Sequence, residues 1–352
     1  MHDLHLLLPD FTFSFNPAKI DKGVYTEPIR ITLGEWLDIW LKEYTGNMKP
    51  HTKKSYEATV KNHIKPVLGK VRIQELTPIH IQKFINGLTN SKDDSKPLNP
   101  KTAKNIHGVL HSALQQAVRI GYLRANPATM AILPKRSASE INPLKDKEVA
   151  QFLAEIKGHK FEYLYLVDLF TGIRQSEIIG LQWDDVDFDQ GCVTIRRQLQ
   201  FLGSKYGGYQ FTSPKNNKIR QIYPAKFVMD TLRQQKRRQT EMRLLAGPAW
   251  SNPNSLVFTD EFGKHLNHDL VYRHLKRLFI KMGLPKLRFH DLRHSYAVPS
   301  IQAGDDIKTV QESLGHYSAA FTLDVYGHVT EQMKRSSSER MEQYIHMLDK
   351  AQ

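Results

Sequence analysis

Only one cysteine, Cys192, stands in a chain of 352 residues, so no disulfide can form within it and no cysteine-built metal cluster is available. In Gly191-Cys192-Val193-Thr194-Ile195 the thiol reads as a small buried hydrophobe, and such sparing use of cysteine points to a reducing cytoplasm. Long apolar runs are missing too. No stretch approaches the roughly 18 residues of a spanning helix. The opening His5-Leu6-Leu7-Leu8-Pro9 is too short, and lacks the basic start, for a signal peptide. There is no GxxxxGK[S/T] loop to cradle a nucleoside triphosphate, no internal repeat and no long low-complexity tract. Acidic residues are in deficit: 36 Asp and Glu face 50 Lys and Arg, a formal net charge of +14. A surface of that sign attracts polyanions, nucleic acid foremost. An anionic membrane is the rival partner, and the want of any spanning run counts against a membrane protein.

What is present reads as globular. Hydrophobic residues make up 40% and charged residues 24%, shares ordinary for folded domains, and the length suits two domains with appendages. Phe11, Phe13 and Phe15 alternate with polar residues as in a strand. Helical spacing then runs through Leu33, Trp36, Leu37, Trp40 and Leu41, and helices are expected over 49–64, 78–88 and 100–120. Thr77-Pro78 is a cap followed by a first-turn proline. A basic, small-residue linker falls at Pro134–Ser139. Beyond it the pattern mixes: helices near 147–155, 161–170, 177–181, 225–245 and 267–282, β-type runs at 192–200, 209–212, 219–224 and 256–258, and helix to the end.

Three polar clusters interrupt the second half. Thr171-Gly172-Ile173-Arg174-Gln175-Ser176-Glu177 puts an arginine at a helix start after a glycine turn. In His290-Asp291-Leu292-Arg293-His294 the spacing sets His290 and Arg293 on one helix face, able to address one anion. Leu314-Gly315-His316 precedes a helical stretch that ends at Leu323-Asp324-Val325-Tyr326-Gly327-His328. Singly these are weak: a His-x-x-Arg pair recurs by chance, Glu177 suits a structural partner to a nearby base, and a late tyrosine commonly packs. Their order and spacing carry the weight.

As a set, Thr171-Gly172-Ile173-Arg174, His290–His294, Leu314-Gly315-His316 and Tyr326 resemble the signature of the tyrosine recombinase (phage integrase) family over most of 144–329. The run 304–329 is similar to integrases of conjugative transposons and Gram-positive phages, and residues 31–130 resemble the family's helical core-DNA-binding domain. The resemblance implies a mainly α fold with a small antiparallel β-sheet: a helical SAM-like core-binding domain at 31–133, a linker at 134–143, a mixed α/β catalytic domain at 144–329 and a tail helix at 330–352. Residues 1–30 would be a tail or the remnant of an arm-binding domain, which leaves arm-site binding in question.

Carried over to this chain, Arg174, His290, Arg293 and His316 surround a scissile phosphate and Tyr326 attacks it. The family's hairpin lysine falls at Lys215, with Lys218 its neighbour and rival. The implied activity is site-specific recombination for a mobile element through a 3′-phosphotyrosine. The alternatives are an impaired DNA-binding relative and a type IB topoisomerase-like enzyme. No cofactor or metal is implied; His290 and His294 mimic a metal pair, but the flanking arginines repel cations. The implied partners are double-stranded DNA, further copies of the chain in a tetramer, and an accessory directionality factor, at the bacterial nucleoid. Met333, Met341, Tyr344, Ile345 and Leu348 give the tail an apolar stripe, which packs on a neighbouring protomer or folds back on its own domain.

The residue types suit the chemistry. Attack on a phosphodiester builds charge on its non-bridging oxygens, and arginines grip such oxygens in pairs as lysines do not. Donors fixed in advance where charge develops are usually the largest catalytic contribution. A phenol of pKa about 10 needs a proton acceptor, a role for His290. Pro299 departs from the pattern: inside the helix that follows Arg293 it is expected to kink the backbone and shift that arginine.

Overall fold

The structure is a computed structural model that describes residues 30–90, 97–135, 142–315 and 330–349. The strand read at Phe11–Phe15, residues 136–141 of the linker, His316 and Tyr326 lie outside the described residues. The chain divides into two compact units, Met1–Ala138 and Ser139–Gln352. Among the described residues no helix is long and apolar enough to cross a membrane.

The described part of the first unit is helical. α1 (Leu33–Glu43) opens on a capping box: Thr32 Oγ1 accepts from the Glu35 amide at 3.2 Å, and Glu35 Oε2 accepts from the Thr32 amide at 2.7 Å. Two amides that a helix start leaves bare are thereby satisfied. Leu33, Trp36, Leu37 and Trp40 turn inward, where Trp36 Nε1 donates to the Ala113 carbonyl at 3.0 Å. α2 (Pro50–Thr59) passes through a π-helical turn at Val60–Ile64 into α3 (Lys65–Leu68). α4 (Pro78–Thr89) and α5 (Pro100–Arg119) start alike. Thr77 Oγ1 accepts from the His80 amide at 3.4 Å and Asn99 Oδ1 from the Lys101 amide at 2.9 Å, with proline next in each case, where its missing amide leaves nothing unsatisfied.

The second unit begins with α6 (Asp146–Ile156), α7 (Glu162–Thr171) and α8 (Gln175–Ile179). β1 (Val186–Asp187), β2 (Cys192–Ile195) and β5 (Arg220–Ile222) form an antiparallel sheet in the order β1-β2-β5, with Val193 opposite Ile222. β3 (Gln198–Phe201) and β4 (Tyr209–Thr212) make a separate antiparallel pair. α9 (Lys226–Ala246), α10 (His268–Lys281), α11 (Phe289–Gln302), α12 (Ile307–Leu314) and α13 (Thr330–Asp349) complete it. Phe152, Tyr165, Phe279 and Leu292 sit in the unit's core, and Cys192 is buried in β2 as a free thiol.

Three local expectations are corrected. The run 192–200 is two strands, because Arg196 and Arg197 both turn to the buried Asp185 carboxylate, each at 3.2 Å, and break the pleat between them. Residues 256–258 form only an isolated bridge from Leu256 to Gln182. Their carbonyls are taken instead by α9 side chains: Gln239 Nε2 donates to Leu256 at 2.9 Å and Gln235 Nε2 to Val257 at 2.8 Å. Pro299 lies within α11, yet the helix continues to Gln302 and Arg293 keeps its buried contacts. The ring sits on an exposed face in the last turns, where little helix remains to be displaced.

Candidate active site

α7 ends at Gly172, whose backbone is left-handed at φ +62°. A Cβ there would meet Leu314 Cδ2 at 2.7 Å and Tyr296 Cδ1 at 2.8 Å, so the turn needs glycine for both conformation and space. It delivers Arg174 to the N-cap of α8. There Nη1 donates to Glu177 Oε1 and Nη2 to the Gly315 carbonyl, both at 2.8 Å. Arg293, on α11, is 1% exposed. Its Nη1 donates to the Gly172 carbonyl at 2.8 Å and its Nη2 to the Leu314 carbonyl. From β5, Arg220 donates through Nε to the Ser313 carbonyl at 2.8 Å. Three successive carbonyls at the end of α12 are thus each held by a different arginine. These are groups a helix leaves without an intrahelical partner.

Glu177 lies beneath the cluster with its side chain fully buried. It accepts from Arg220 at 3.1 and 2.6 Å besides Arg174. Burial alone would push its carboxyl up, but the Arg220 bonds and charge, joined by Arg174, outweigh burial and hold it at about 2. The stability consequence has a definite sign. A carboxyl depressed from 4.5 to about 2 stabilises the fold fully above the higher value, and that contribution disappears as pH falls through the lower. At about 1.4 kcal/mol per unit the contribution is about 3 kcal/mol. In urea titrations the wild type is expected to exceed Glu177→Gln by about that much at pH 6, and the gap should close between pH 4.5 and 2. A gap independent of pH defeats the assignment.

Asp168 is buried near Arg293, and its carboxylate oxygens have no hydrogen-bond partner among the described residues. Burial pushes its pKa well above the usual range, against the pull of Arg293 and with the push of Glu177. His290 is held down at about 3 by loss of surrounding water, then by Arg293, His294 and Arg174. Loss of water and the nearby guanidiniums push the ring in the same direction. The His294 ring, edge-on to His290 at 5.0 Å, falls to about 4, chiefly through burial.

A cleft beside Arg174 is lined by Asn216, Lys218, Arg220, Lys308 and Gly315 among others. Asn216 Nδ2 reaches the Gly315 carbonyl at 3.3 Å, which ties the β4–β5 connection to the end of α12. Lys218 and Lys215 are both exposed, and of the two Lys218 lines the cleft. Arg174, His290 and Arg293 are therefore brought together, while His316 and Tyr326 belong to the segment outside the described residues. Sequence reasoning missed Arg220 and Asp168. Period-two alternation over 219–222 puts Arg220 on the same face as the buried Ile222, a signal that was available. Among the described residues no group of three or more His, Cys, Asp or Glu is placed to hold a metal ion.

Guanidiniums fixed in advance around a small cleft, in a basic chain with a helical companion unit, define an enzyme class that works on phosphodiesters. Residues 142–333 match the phage integrase family and residues 32–89 its N-terminal SAM-like domain. A "Tyrosine recombinase XerC-like" protein of Caldanaerobacter subterraneus subsp. tengcongensis is 30% identical over 339 residues, 92% of this chain and 85% of that protein. The ICEBs1 integrase of Bacillus subtilis is 25% identical over 313 residues, 88% of this chain and 82% of its own length. The solved Tn1549 transposon integrase, in complex with a circular intermediate DNA, shares the fold at a TM-score of 0.74 and 22% identity, over 88% of this chain and 99% of that one. The chain belongs to the phage integrase family and is a tyrosine recombinase.

Proposed function

We propose that this chain cuts and rejoins double-stranded DNA at the ends of a mobile element through a 3′-phosphotyrosyl bond to Tyr326. One observation carries the reading: Arg174 and Arg293 converge on the carbonyls of Gly315 and Leu314, at the helix end from which the chain runs directly into His316. The two arginines bind the non-bridging oxygens, and His316 adds a hydrogen bond. The Tyr326 phenol gives its proton to His290 as its oxygen attacks phosphorus. The bond to the 5′ oxygen breaks, and Lys215 protonates that oxygen, with Lys218 as the alternative donor. Burial and the neighbouring guanidiniums keep His290 neutral, and a bound phosphate cancels part of the cationic field and raises the ring's basicity. The phosphotyrosine retains the energy of the broken bond, so rejoining consumes no nucleotide.

Residues 31–133 are assigned to core-site DNA, 144–329 to catalysis, 134–143 to the linker and 1–30 to an arm-binding remnant or tail. The tail helix leaves Met341, Tyr344, Ile345 and Leu348 exposed, which supports docking at 330–352 on a second protomer in a tetramer at the nucleoid, with a directionality factor as a further partner. Incubation with a nicked suicide duplex carrying the element's ends, followed by denaturing electrophoresis, is expected to show a protein–DNA adduct. DNA binding without any adduct would transfer the reading to an inactive DNA-binding relative.

A further inference from the structure

Arg220 was not singled out by sequence, yet it joins β5 to both α8 and the end of α12. It leaves β5 directly after the turn that carries Lys215 and Lys218. One side of its guanidinium takes both oxygens of Glu177 at 3.1 and 2.6 Å, and Nε takes the Ser313 carbonyl at 2.8 Å. Glu177 in turn fixes Arg174 through Nη1 and through the Arg174 amide at 3.1 Å. Gly315 lies against Arg220: its backbone is left-handed at φ +62°, and a Cβ there would meet Cδ, Nη1 and Cζ of Arg220 at 3.1–3.2 Å. One planar side chain thus meets the strand leaving the lysine turn, the carboxylate that aims Arg174, and the helix end leading to His316. Its side chain is 9% exposed.

We propose that Arg220 is a positioning residue for phosphodiester cleavage, setting Arg174 through Glu177 and fixing the α12 end through Ser313 and Gly315. The inference rests on the reading given under Proposed function. The fork geometry is the reason an arginine is required: a lysine at this place can meet Glu177 or Ser313, but its single ammonium cannot hold both in these directions. Displacing a catalytic group by about 1 Å commonly costs about 100-fold in rate.

The experiment is single-turnover cleavage of the suicide duplex by the full chain, alongside binding of an uncleaved core site. Adduct formation by the wild type establishes the underlying reading, so a failure there is distinguishable from a failure of this one. Arg220→Lys is then expected to bind DNA within about threefold of wild type but to cleave about 100-fold more slowly. The decisive readout is a double-mutant cycle: Arg174→Lys combined with Arg220→Lys should lose clearly less rate than the product of the two single losses, since Arg220 acts in part through Arg174. Wild-type cleavage by Arg220→Lys, additive losses in the cycle, or a loss of binding that accounts for the loss of rate would each overturn the proposal. If Arg220→Lys lowers Tm by more than about 5 °C, the charge-neutral pair Arg220→Gln with Glu177→Gln replaces it. That pair is expected to show the same slow cleavage with DNA binding retained, and wild-type cleavage by it overturns the proposal equally.

Discussion

Tyr326→Phe is expected to abolish the covalent adduct while leaving DNA binding within about twofold of wild type. The substitution removes one oxygen and keeps the ring, so whatever packing the ring provides survives and only the nucleophile is lost. Nucleophilic attack requires an oxygen held near phosphorus, in line with the departing 5′ oxygen, and phenylalanine supplies none. A group of this kind typically carries a factor of about 10⁴ or more, which takes the adduct below detection on a denaturing gel. Adduct at the wild-type level from Tyr326→Phe would place the nucleophile elsewhere and dissolve the assignment of the whole set. Loss of DNA binding in the same variant would instead give the phenol a structural role.

Arg293 should produce the largest combined loss of stability and rate. Its guanidinium is buried, with Nη1 on the Gly172 carbonyl and Nη2 on the Leu314 carbonyl. Arg293→Ala leaves both carbonyls buried without that donor, removes the cation nearest Asp168 and opens a cavity. The expected cost is about 3–5 kcal/mol, read as a lower urea midpoint, and cleavage should cease. Arg293→Lys separates the two effects. A lysine keeps the charge but not the fork, so the fold should lose less while single-turnover cleavage falls about 100- to 1000-fold. If Arg293→Lys cleaves like the wild type, the paired grip on the phosphate is not part of the chemistry.

How much of this was legible in the sequence depended on whether the cause was local. The helix start at Thr77-Pro78 was legible because a cap acts over three residues, and the structure builds it. The arginine turn at Gly172–Arg174 could be read for the same reason. Residues 256–258 could not, since their β-like composition is overridden by glutamines about 17 to 22 positions away on α9. The break at Arg196–Arg197 needed knowledge of a buried Asp185, and Pro299 was misjudged because its harm depends on how much helix follows it. Glu177 was read as the partner of a base, but its second and stronger partner, Arg220, is 43 positions away. Pairings at that distance have no signature in a single sequence unless alternation on a strand is followed residue by residue.

The grip on α12 also bears on how the protein is made. Arg174, Arg220 and Arg293 find their acceptors 141, 93 and 21 residues further along the chain. During synthesis, which proceeds from the N-terminus, the first two guanidiniums can pair with Glu177 long before the carbonyls of Ser313 and Gly315 exist to complete their sets. A partly translated chain therefore has its helical unit but no assembled catalytic pocket. On the function proposed above, the ability to cut is therefore acquired only after α12 and the segment that follows it have left the ribosome.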